Sequence, residues 1–191
     1  MLKFLRRFFI FLLFLIVFFG LFIIWGSSSQ YDESGYAKIT AFGEQVTKDS
    51  TDSTYRIITY NIGYLSDTSN NSPIGREKKL FNANLETVEA VFKSYNPDFV
   101  AYQEIDFASS RSFKVNQFEE LGKRLGFASG AMAVNWDKKY VPFPYFPPSV
   151  NFGEMLSGQA IHSKYAITEQ ERLVLERADN PFWYDAFYID R

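Results

Sequence analysis

The chain has 191 residues, of which 47% are hydrophobic and 22% are charged, and its formal net charge at pH 7 is −2. This composition excludes a wholly disordered chain and supplies enough apolar residues for one domain of ordinary size. The absence of cysteine excludes disulfides and thiolate metal sites, and it is compatible with an exported domain that is stable without covalent cross-links.

The N-terminal region is a hydrophobic segment preceded by basic residues. From Phe8 to Trp25 every residue is apolar or glycine. As a helix, this run rises about 27 Å, close to the ~30 Å hydrocarbon core of a bilayer. The basic residues Lys3, Arg6 and Arg7 precede the run, and no acidic residue occurs before Asp32. This charge asymmetry predicts a single-pass membrane protein with a cytoplasmic N-terminus and an extracytoplasmic remainder.

A cleaved signal peptide is the alternative for this segment, because it too combines a basic region with an apolar stretch. The apolar run is longer than the usual hydrophobic region of about 7–15 residues in such peptides, and the segment 23–27 lacks an Ala-x-Ala-like cleavage site. The sequence therefore favours an uncleaved anchor. We assign residues 1–7 to a cytoplasmic basic tail and residues 8–26 to a transmembrane anchor.

Residues 27–53 are rich in serine, glycine, aspartate and threonine, which predicts a linker between the membrane and a domain. Three of the 20 basic residues and none of the 22 acidic residues lie within residues 1–30, so the remaining chain carries 17 basic and 22 acidic residues. An acidic domain is poorly suited to unaided binding of long nucleic acid, which requires clustered Lys and Arg.

Strand and helix patterns alternate from residue 55 onward. The patterns predict strands at 55–60, 98–102, 127–134, 158–163 and 172–175, a further strand that begins at 184, and helices that contain 85–92 and 118–125. Asn96-Pro97 ends the first of these helices, and Gly126 ends the second as a left-handed cap. Four prolines exclude regular structure from the loop 140–148, which we interpret as a substrate-side rim. The order of elements predicts a mixed α/β layered domain.

Two of the predicted strands end in polar residues. Asn61 follows the strand at 55–60, and Glu104 follows the strand at 98–102. Ligands collect at the carboxyl ends of strands in α/β sheets, so an amide and a carboxylate there are candidates for a metal and phosphate site. Taken singly, each residue has a structural alternative, because Asn61 precedes the turn-forming Gly63 and a glutamate at a strand end commonly pairs with arginine.

Three segments in order resemble the N-terminal half of the endonuclease/exonuclease/phosphatase family. They are Thr59-Tyr60-Asn61-Ile62, Gln103-Glu104, and the segment Gly158-Gln159-Ala160-Ile161-His162-Ser163-Lys164-Tyr165, which is similar to the family's Gly-x-Ala-Ile-x-Ser-Arg-Tyr strand. The resemblance implies a deoxyribonuclease-like layered β-sandwich flanked by helices, of which residues 54–191 form the N-terminal half. It also implies that Asn61 orients the scissile phosphate or its metal and that Glu104 binds Mg²⁺ or Mn²⁺.

The resemblance also implies substrate contacts. Asp106 and Arg111 lie in a loop that borders the substrate in the family, and Arg111 is a candidate phosphate clamp or, equally, a solvated loop arginine. Asn135 is a weaker candidate at the substrate rim, as is Tyr140. His162, the only histidine, occupies a strand position that is usually apolar in the family, so we expect a structural role and not a general base.

Two motifs that complete the family's site are absent from residues 165–191. These are a Gly-Asp-x-Asn segment, whose acid activates water, and a Ser-Asp-His segment, which holds a histidine. We therefore expect the 191-residue chain to be a fragment that is inactive alone and leaves sheet faces and edges uncovered.

The sequence thus predicts a membrane-anchored, Mg²⁺-dependent phosphoesterase or nuclease-like hydrolase. Its expected substrate is a phosphoester, either lipid-linked, a small phosphodiester or nucleic acid. The membrane is contacted through the N-terminal helix, and no protein partner is predicted. The alternative is a non-catalytic extracytoplasmic module on the same fold that binds protein or glycan through the loop 140–148.

Overall fold

The computed structural model describes residues 2–46, 54–175 and 183–187. The helices are α1 (Leu2–Ser27), α2 (Lys78–Tyr95) and α3 (Gln117–Leu125), and the strands are β1 (Ala37–Ala41), β2 (Ile57–Asn61), β3 (Phe99–Asp106), β4 (Ser129–Val141) and β5 (Gly153–Ser163). Short 3-10 helices lie at Glu33–Gly35, Gly63–Leu65, Asp67–Ser69, Ser110–Ser112, Pro148–Val150 and Trp183–Phe187.

The five strands form one mixed sheet in the order β1-β4-β5-β3-β2. β2 and β3 pair in parallel, whereas the other three pairings are antiparallel. A parallel pair requires a crossover connection, and α2 supplies it between β2 and β3. The predicted mixed α/β class is therefore confirmed.

The helices α2 and α3 pack on one face of this sheet. The apolar residues of α2 recur at helical spacing, and Phe81, Leu85, Val88 and Phe92 are all buried. They share a core cluster with inward-facing strand residues such as Tyr102. The opposite face is less covered in the described chain: the Ile57 side chain on β2 is 68% exposed.

Both predicted helix ends are confirmed. Asn96 caps α2 with φ of 46°, and Gly126 caps α3 with φ of 68°. Each lies in the left-handed region, which asparagine and glycine adopt more readily than other residues. Pro97 directly follows the first cap and prevents the helix from continuing.

α1 is long and apolar enough to cross a membrane, and none of its most apolar 18-residue window is buried in the protein. Its C-terminal end nevertheless contacts the domain. The Phe22 and Trp25 rings lie 5.8 and 6.3 Å from the ring of Tyr140 on β4, and Gly26 is buried. The helix therefore joins the domain through packed aromatic side chains.

The segment assigned from sequence to a linker differs from that prediction over residues 28–46. The buried carboxylate of Asp137 accepts hydrogen bonds from the backbone N–H groups of Gln30 and Tyr31 and from the Tyr36 hydroxyl, at 2.9–3.0 Å. β1 then pairs with β4 as an edge strand. Since the hydrogen bonds to Asp137 join residues more than a hundred positions apart and β1 also pairs with a distant strand, composition alone did not indicate these contacts. The remainder of the predicted linker, 47–53, lies outside the described residues.

The later elements also differ in part from the sequence prediction. β4 extends to Val141, past the predicted end at residue 134. Residues 172–175 form no strand, and Arg172 instead donates from Nε to the Val134 carbonyl at 3.0 Å. The predicted strand beginning at residue 184 is replaced by a 3-10 helix at Trp183–Phe187, and its continuation lies outside the described residues.

Gly158 in β5 lies where no other residue fits. A Cβ atom at this position would overlap the backbone of Ala133 and Val134 in the neighbouring strand β4. β4 is irregular next to this point, between Val134 and Trp136. The close approach of two backbones explains why glycine begins the segment that resembles the family strand.

We expect Gly158→Ala to lower the free energy of unfolding by about 1–3 kcal/mol, because the clashing atoms are backbone and cannot rotate away. Gly35→Ala is the control, since an added Cβ there meets nothing within 4 Å, and its effect should stay within about 0.5 kcal/mol. Chemical unfolding of the full chain in detergent micelles, followed by circular dichroism, measures both. Equal stability of the two variants would contradict the packing argument.

Candidate functional site

The two polar segments that the sequence predicts as strand ends lie side by side in the sheet. Asn61 on β2 and Gln103 on β3 are directly paired in the parallel register. The backbone N–H of Ile62 continues the pairing by donating to the Gln103 carbonyl at 3.0 Å. Glu104 follows Gln103 immediately. It does not end the strand, as the sequence predicts, because β3 continues to Asp106, whereas β2 ends at Asn61.

A bulge in β3 orients Glu104. The pairing of β3 with β5 shifts register between Tyr102 and Ile105, and Glu104 within this bulge has φ of 52°. A left-handed conformation of a residue other than glycine costs of order 1–3 kcal/mol and is found preferentially at functional sites. The half-buried carboxylate accepts at Oε2 from Asn70 Nδ2 at 3.3 Å. Its Oε1 has no hydrogen-bond partner in the described part of the chain.

Asn61 combines a fixed backbone with a free amide. Its Oδ1 accepts from the Gly63 N–H at 3.0 Å, which forms a turn at the end of β2. Its Nδ2 donates to no atom of the described residues, and the side chain is exposed. The amide N–H groups are therefore free to donate to a ligand oxygen.

The loop after Asn61 is strained and internally supported. Gly63, Tyr64 and Leu65 all have positive φ, between 53° and 58°. The fully buried amide of Gln117 holds this loop by donating from Nε2 to the Tyr64 carbonyl at 2.9 Å. Its Oε1 accepts from the Asp106 N–H at 3.0 Å. Gln117 thereby ties the loop after β2 to the end of β3.

Asp106 and Arg111 form a buried ion pair. Arg111 donates from Nε to Asp106 Oδ2 and from Nη2 to Asp106 Oδ1, both at 3.0 Å, and both side chains are fully excluded from solvent. Ser109 Oγ adds a third bond to Asp106 Oδ1, at 2.8 Å. The family resemblance implies substrate contacts for both residues, but the structure directs the Asp106 carboxylate toward protein donors.

Aromatic rings surround the Arg111 guanidinium. Its central carbon lies 3.0 Å from the ring centroid of Tyr64 and 5.0 Å from those of Trp136 and Phe152. Burial raises the pKa of Tyr64, and the positive charge of Arg111 opposes that shift. The Tyr64 hydroxyl therefore stays protonated at neutral pH.

Asn135 lies apart from these residues. It is at the irregularity in β4 and lines a different cavity together with Gln159 and Arg172. The residues that line that cavity include neither Asn61 nor Glu104. The structure thus places Asn61 beside Gln103, the residue before Glu104, and buries Asp106 and Arg111 as an ion pair. Asn135 lies on β4, two strands away from β3.

His162 is buried among aromatic rings. It stacks on Phe118 and Phe127 with ring centroids 4.8 and 5.3 Å away, and its Nδ1 lies 3.1 Å from the Tyr102 hydroxyl. Burial lowers the pKa of His162 to about 3. The imidazole is therefore neutral at physiological pH and packs as part of the core.

The donor groups restrict which metal the site suits. No group of three or more His, Cys, Asp and Glu side chains that could hold a metal ion occurs within residues 2–46, 54–175 and 183–187. Glu104 offers one carboxylate oxygen without a partner. This fits Mg²⁺, which is commonly bound by one or two carboxylates and completes its coordination with water and substrate oxygens. It does not fit an ion held by protein ligands alone.

Several residues at the site carry no signal in the sequence. Tyr64 and Asn70 lie in a polar loop without periodicity, and Gln117 occupies the first position of α3, where its burial is not indicated. Arg76 lies in the same polar region, yet its Nε and Nη2 atoms are buried. Only the Asn-Ile-Gly turn after β2 signals that this loop adopts an unusual conformation.

Comparisons of the chain with protein families, curated proteins and solved structures find no match.

Below about pH 6.5, we expect the free energy of unfolding to decrease as the pH is lowered. The reason is that the unfolded chain then binds a proton that the folded protein excludes from His162. The limiting slope is about 1.4 kcal/mol per pH unit, and it holds down to the folded pKa of about 3. In His162→Gln this part of the slope should disappear.

The sole histidine allows a direct check by NMR of the untagged chain in detergent micelles. The imidazole signals should not titrate between pH 5 and 8. A midpoint near that of free histidine would contradict the buried neutral state.

Proposed function

We propose that this protein is a membrane-anchored, Mg²⁺-dependent phosphoesterase of the endonuclease/exonuclease/phosphatase type. The described chain contributes the metal and phosphate half of the site. The observation that supports the proposal is the parallel pairing of Asn61 with Gln103, the residue directly before Glu104. The full fold proposed is the family's deoxyribonuclease-like layered sandwich, with its second sheet against the exposed face that includes Ile57.

Each residue has a defined task in this proposal. Glu104 would hold Mg²⁺ (or Mn²⁺), which when bound supplies positive charge to phosphoryl oxygens. Asn61 donates from Nδ2 to a phosphoryl oxygen and so orients the phosphorus for in-line attack by water. Asn70 keeps Glu104 in place through its hydrogen bond to Oε2.

The groups that would activate water and protonate the leaving group are not found in the described part of the chain. His162 is buried and neutral, and both oxygens of Asp106 are bonded to Arg111. Acid-base catalysis is therefore assigned to none of the described residues in this proposal.

The position of α1 supports a substrate near the membrane. Phe22 and Trp25 contact Tyr140 directly, so the domain adjoins the end of the apolar helix. With the N-terminus in the cytoplasm, as the basic residues predict, the domain is extracytoplasmic. A lipid-linked or small phosphodiester fits this placement and the acidic domain better than long nucleic acid does.

A second candidate function is the non-catalytic module that binds through the loop 140–148. One observation favours it: the Tyr145 and Phe146 side chains in that loop are 55% and 79% exposed. Exposed aromatic side chains are enriched at protein interfaces. This function would depend on Phe146 and would be insensitive to Glu104.

The decisive variant is Glu104→Gln, which removes the charge and retains the shape of the side chain. We expect Mn²⁺ to broaden the NMR signals of Glu104 and Asn70 in the parent chain and not in the variant, since the metal ligand is lost.

The matched control is Glu86→Gln, which removes the same charge from an exposed position on α2. It should retain the same Mn²⁺ broadening as the parent. Parent-level broadening in Glu104→Gln would exclude Glu104 as the metal ligand, and loss of protein or glycan binding only in Phe146→Ser would favour the binding module.

A further inference from the structure

The loop between β4 and β5, residues 142–152, forms an uncharged surface next to the end of α1. No acidic or basic residue occurs from Tyr140 to Gly153. The side chains of Tyr145 and Phe146, in the middle of this loop, are exposed. Exposed apolar side chains that lie together on a protein surface indicate contact with a partner or with a membrane.

Two hydrogen bonds connect this loop to the residue that contacts α1. The Tyr140 hydroxyl donates to Asn151 Oδ1 at 2.8 Å, and Asn151 Nδ2 donates to the Pro144 carbonyl. The ring of Tyr140 lies 5.8 Å from the Phe22 ring and 6.3 Å from the Trp25 ring. The gap between α1 and the loop is therefore bridged by only two side chains, those of Tyr140 and Asn151.

The junction between α1 and the domain is tightly packed. A Cβ atom at Gly26 would lie 3.1 Å from the Tyr140 carbonyl oxygen and 3.1 Å from a carbon of the Phe187 ring. Ile23 of α1 and Phe143 of the loop both pack against one buried cluster, which consists of Trp136, Val141, Phe152, Met155 and Phe187. The shared core holds the loop in a fixed position relative to the helix end.

The contacts with α1 set the level of the loop along the helix. Phe22 lies inside the apolar run and three residues before its end at Trp25, a rise of about 4.5 Å. With α1 across a bilayer, Tyr140 therefore lies at the membrane interface, where tyrosine and tryptophan are enriched. The N–H of Lys139, whose side chain is exposed, donates to the Ser28 carbonyl just past α1 at 3.0 Å.

We propose that the loop 142–152 is a second membrane contact, in which Phe146 and Tyr145 insert into the lipid interface beside the end of α1. The partner is lipid because the loop continues the surface of a membrane-spanning helix and contains no charge that the interface would exclude. The exposed ammonium group of Lys139, at the level where the helix ends, is attracted to the phosphates of anionic lipids.

This contact restricts the orientation of the domain. A single helix leaves a domain free to tilt on the membrane, whereas a second contact holds one face toward the lipid. The inference rests on the membrane anchoring in the proposed function. It requires neither a metal ion nor hydrolysis.

A spin label at a single introduced cysteine tests the insertion, because the chain contains no cysteine of its own. The full chain is reconstituted into vesicles of phosphatidylcholine and phosphatidylglycerol. Electron paramagnetic resonance then compares collisions of the label with oxygen, which concentrates in lipid, and with a water-soluble nickel chelate. In Phe146→Cys we expect more collisions with oxygen than with nickel and a depth of about 5–10 Å into the headgroup and acyl boundary.

Two control variants carry the same label. Tyr95→Cys replaces another exposed aromatic residue, at the end of α2. It lies near the start of β3, which pairs with the end of β5 that is remote from the loop, so its label should collide mainly with nickel. Phe14→Cys replaces an exposed residue in the middle of α1, and its label should lie in the hydrocarbon core.

The controls separate failure of the loop contact from failure of the anchor. A label in water in Phe146→Cys, together with a label in the core in Phe14→Cys, would overturn the loop contact and leave the anchoring intact. The exposed loop would then be a surface for a protein or glycan. A label in water in Phe14→Cys would refute the membrane anchoring and, with it, this inference. Phe146 and Tyr95 are both exposed, so neither substitution removes a buried side chain.

Discussion

The buried ion pair of Asp106 and Arg111 determines the geometry around the end of β3. Two hydrogen bonds between the same two side chains fix the guanidinium plane, and Ser109 satisfies the carboxylate further. Removing one partner of such a pair leaves an uncompensated buried charge, which costs about 3–5 kcal/mol. The pair therefore cannot be broken locally without disturbing the residues that pack on it.

Tyr64 transmits this constraint to the candidate site. Its ring packs on Arg111, and its carbonyl accepts from Gln117, so the left-handed loop after β2 is held from both sides. The same loop region supplies Asn70, which contacts Glu104. Backbone strain at Tyr64 and Glu104 persists because the surrounding contacts over-determine these conformations.

A second buried carboxylate organises the region next to the C-terminal end of α1. Asp137 binds the backbone at Gln30 and Tyr31, and the aromatic residues at the end of α1 pack on Tyr140. The strands β4 and β3 thus each contain one buried carboxylate, Asp137 and Asp106 respectively, that accepts hydrogen bonds from several donors. These contacts hold the segment after α1 against β4. The apolar helix and the domain are therefore in direct contact, without a free spacer between them.

The sequence by itself determined the elements whose causes are local. The apolar run of α1, the 3.6-residue spacing of α2, the caps at Asn96 and Gly126, and the polar ends of β2 and β3 all follow from residue type and spacing. The parallel pairing of β2 with β3, which sets Asn61 opposite Gln103, follows too, since a helix between two strands favours parallel pairing.

Only the tertiary structure decided which polar residues are available to a ligand. Charged residues such as Arg111, Asp137 and Arg76 are usually exposed, and their burial here involves partners far away in sequence, namely Tyr64, Gln30 and Phe152. Local pairing with Arg111, five residues along the chain, made Asp106 a structural anion. Packing across the fold placed β1 against β4 and buried Arg76 donors that have no acceptor among the described residues. Burial and charge balance are properties of the packed chain, so spacing along the sequence does not encode them locally.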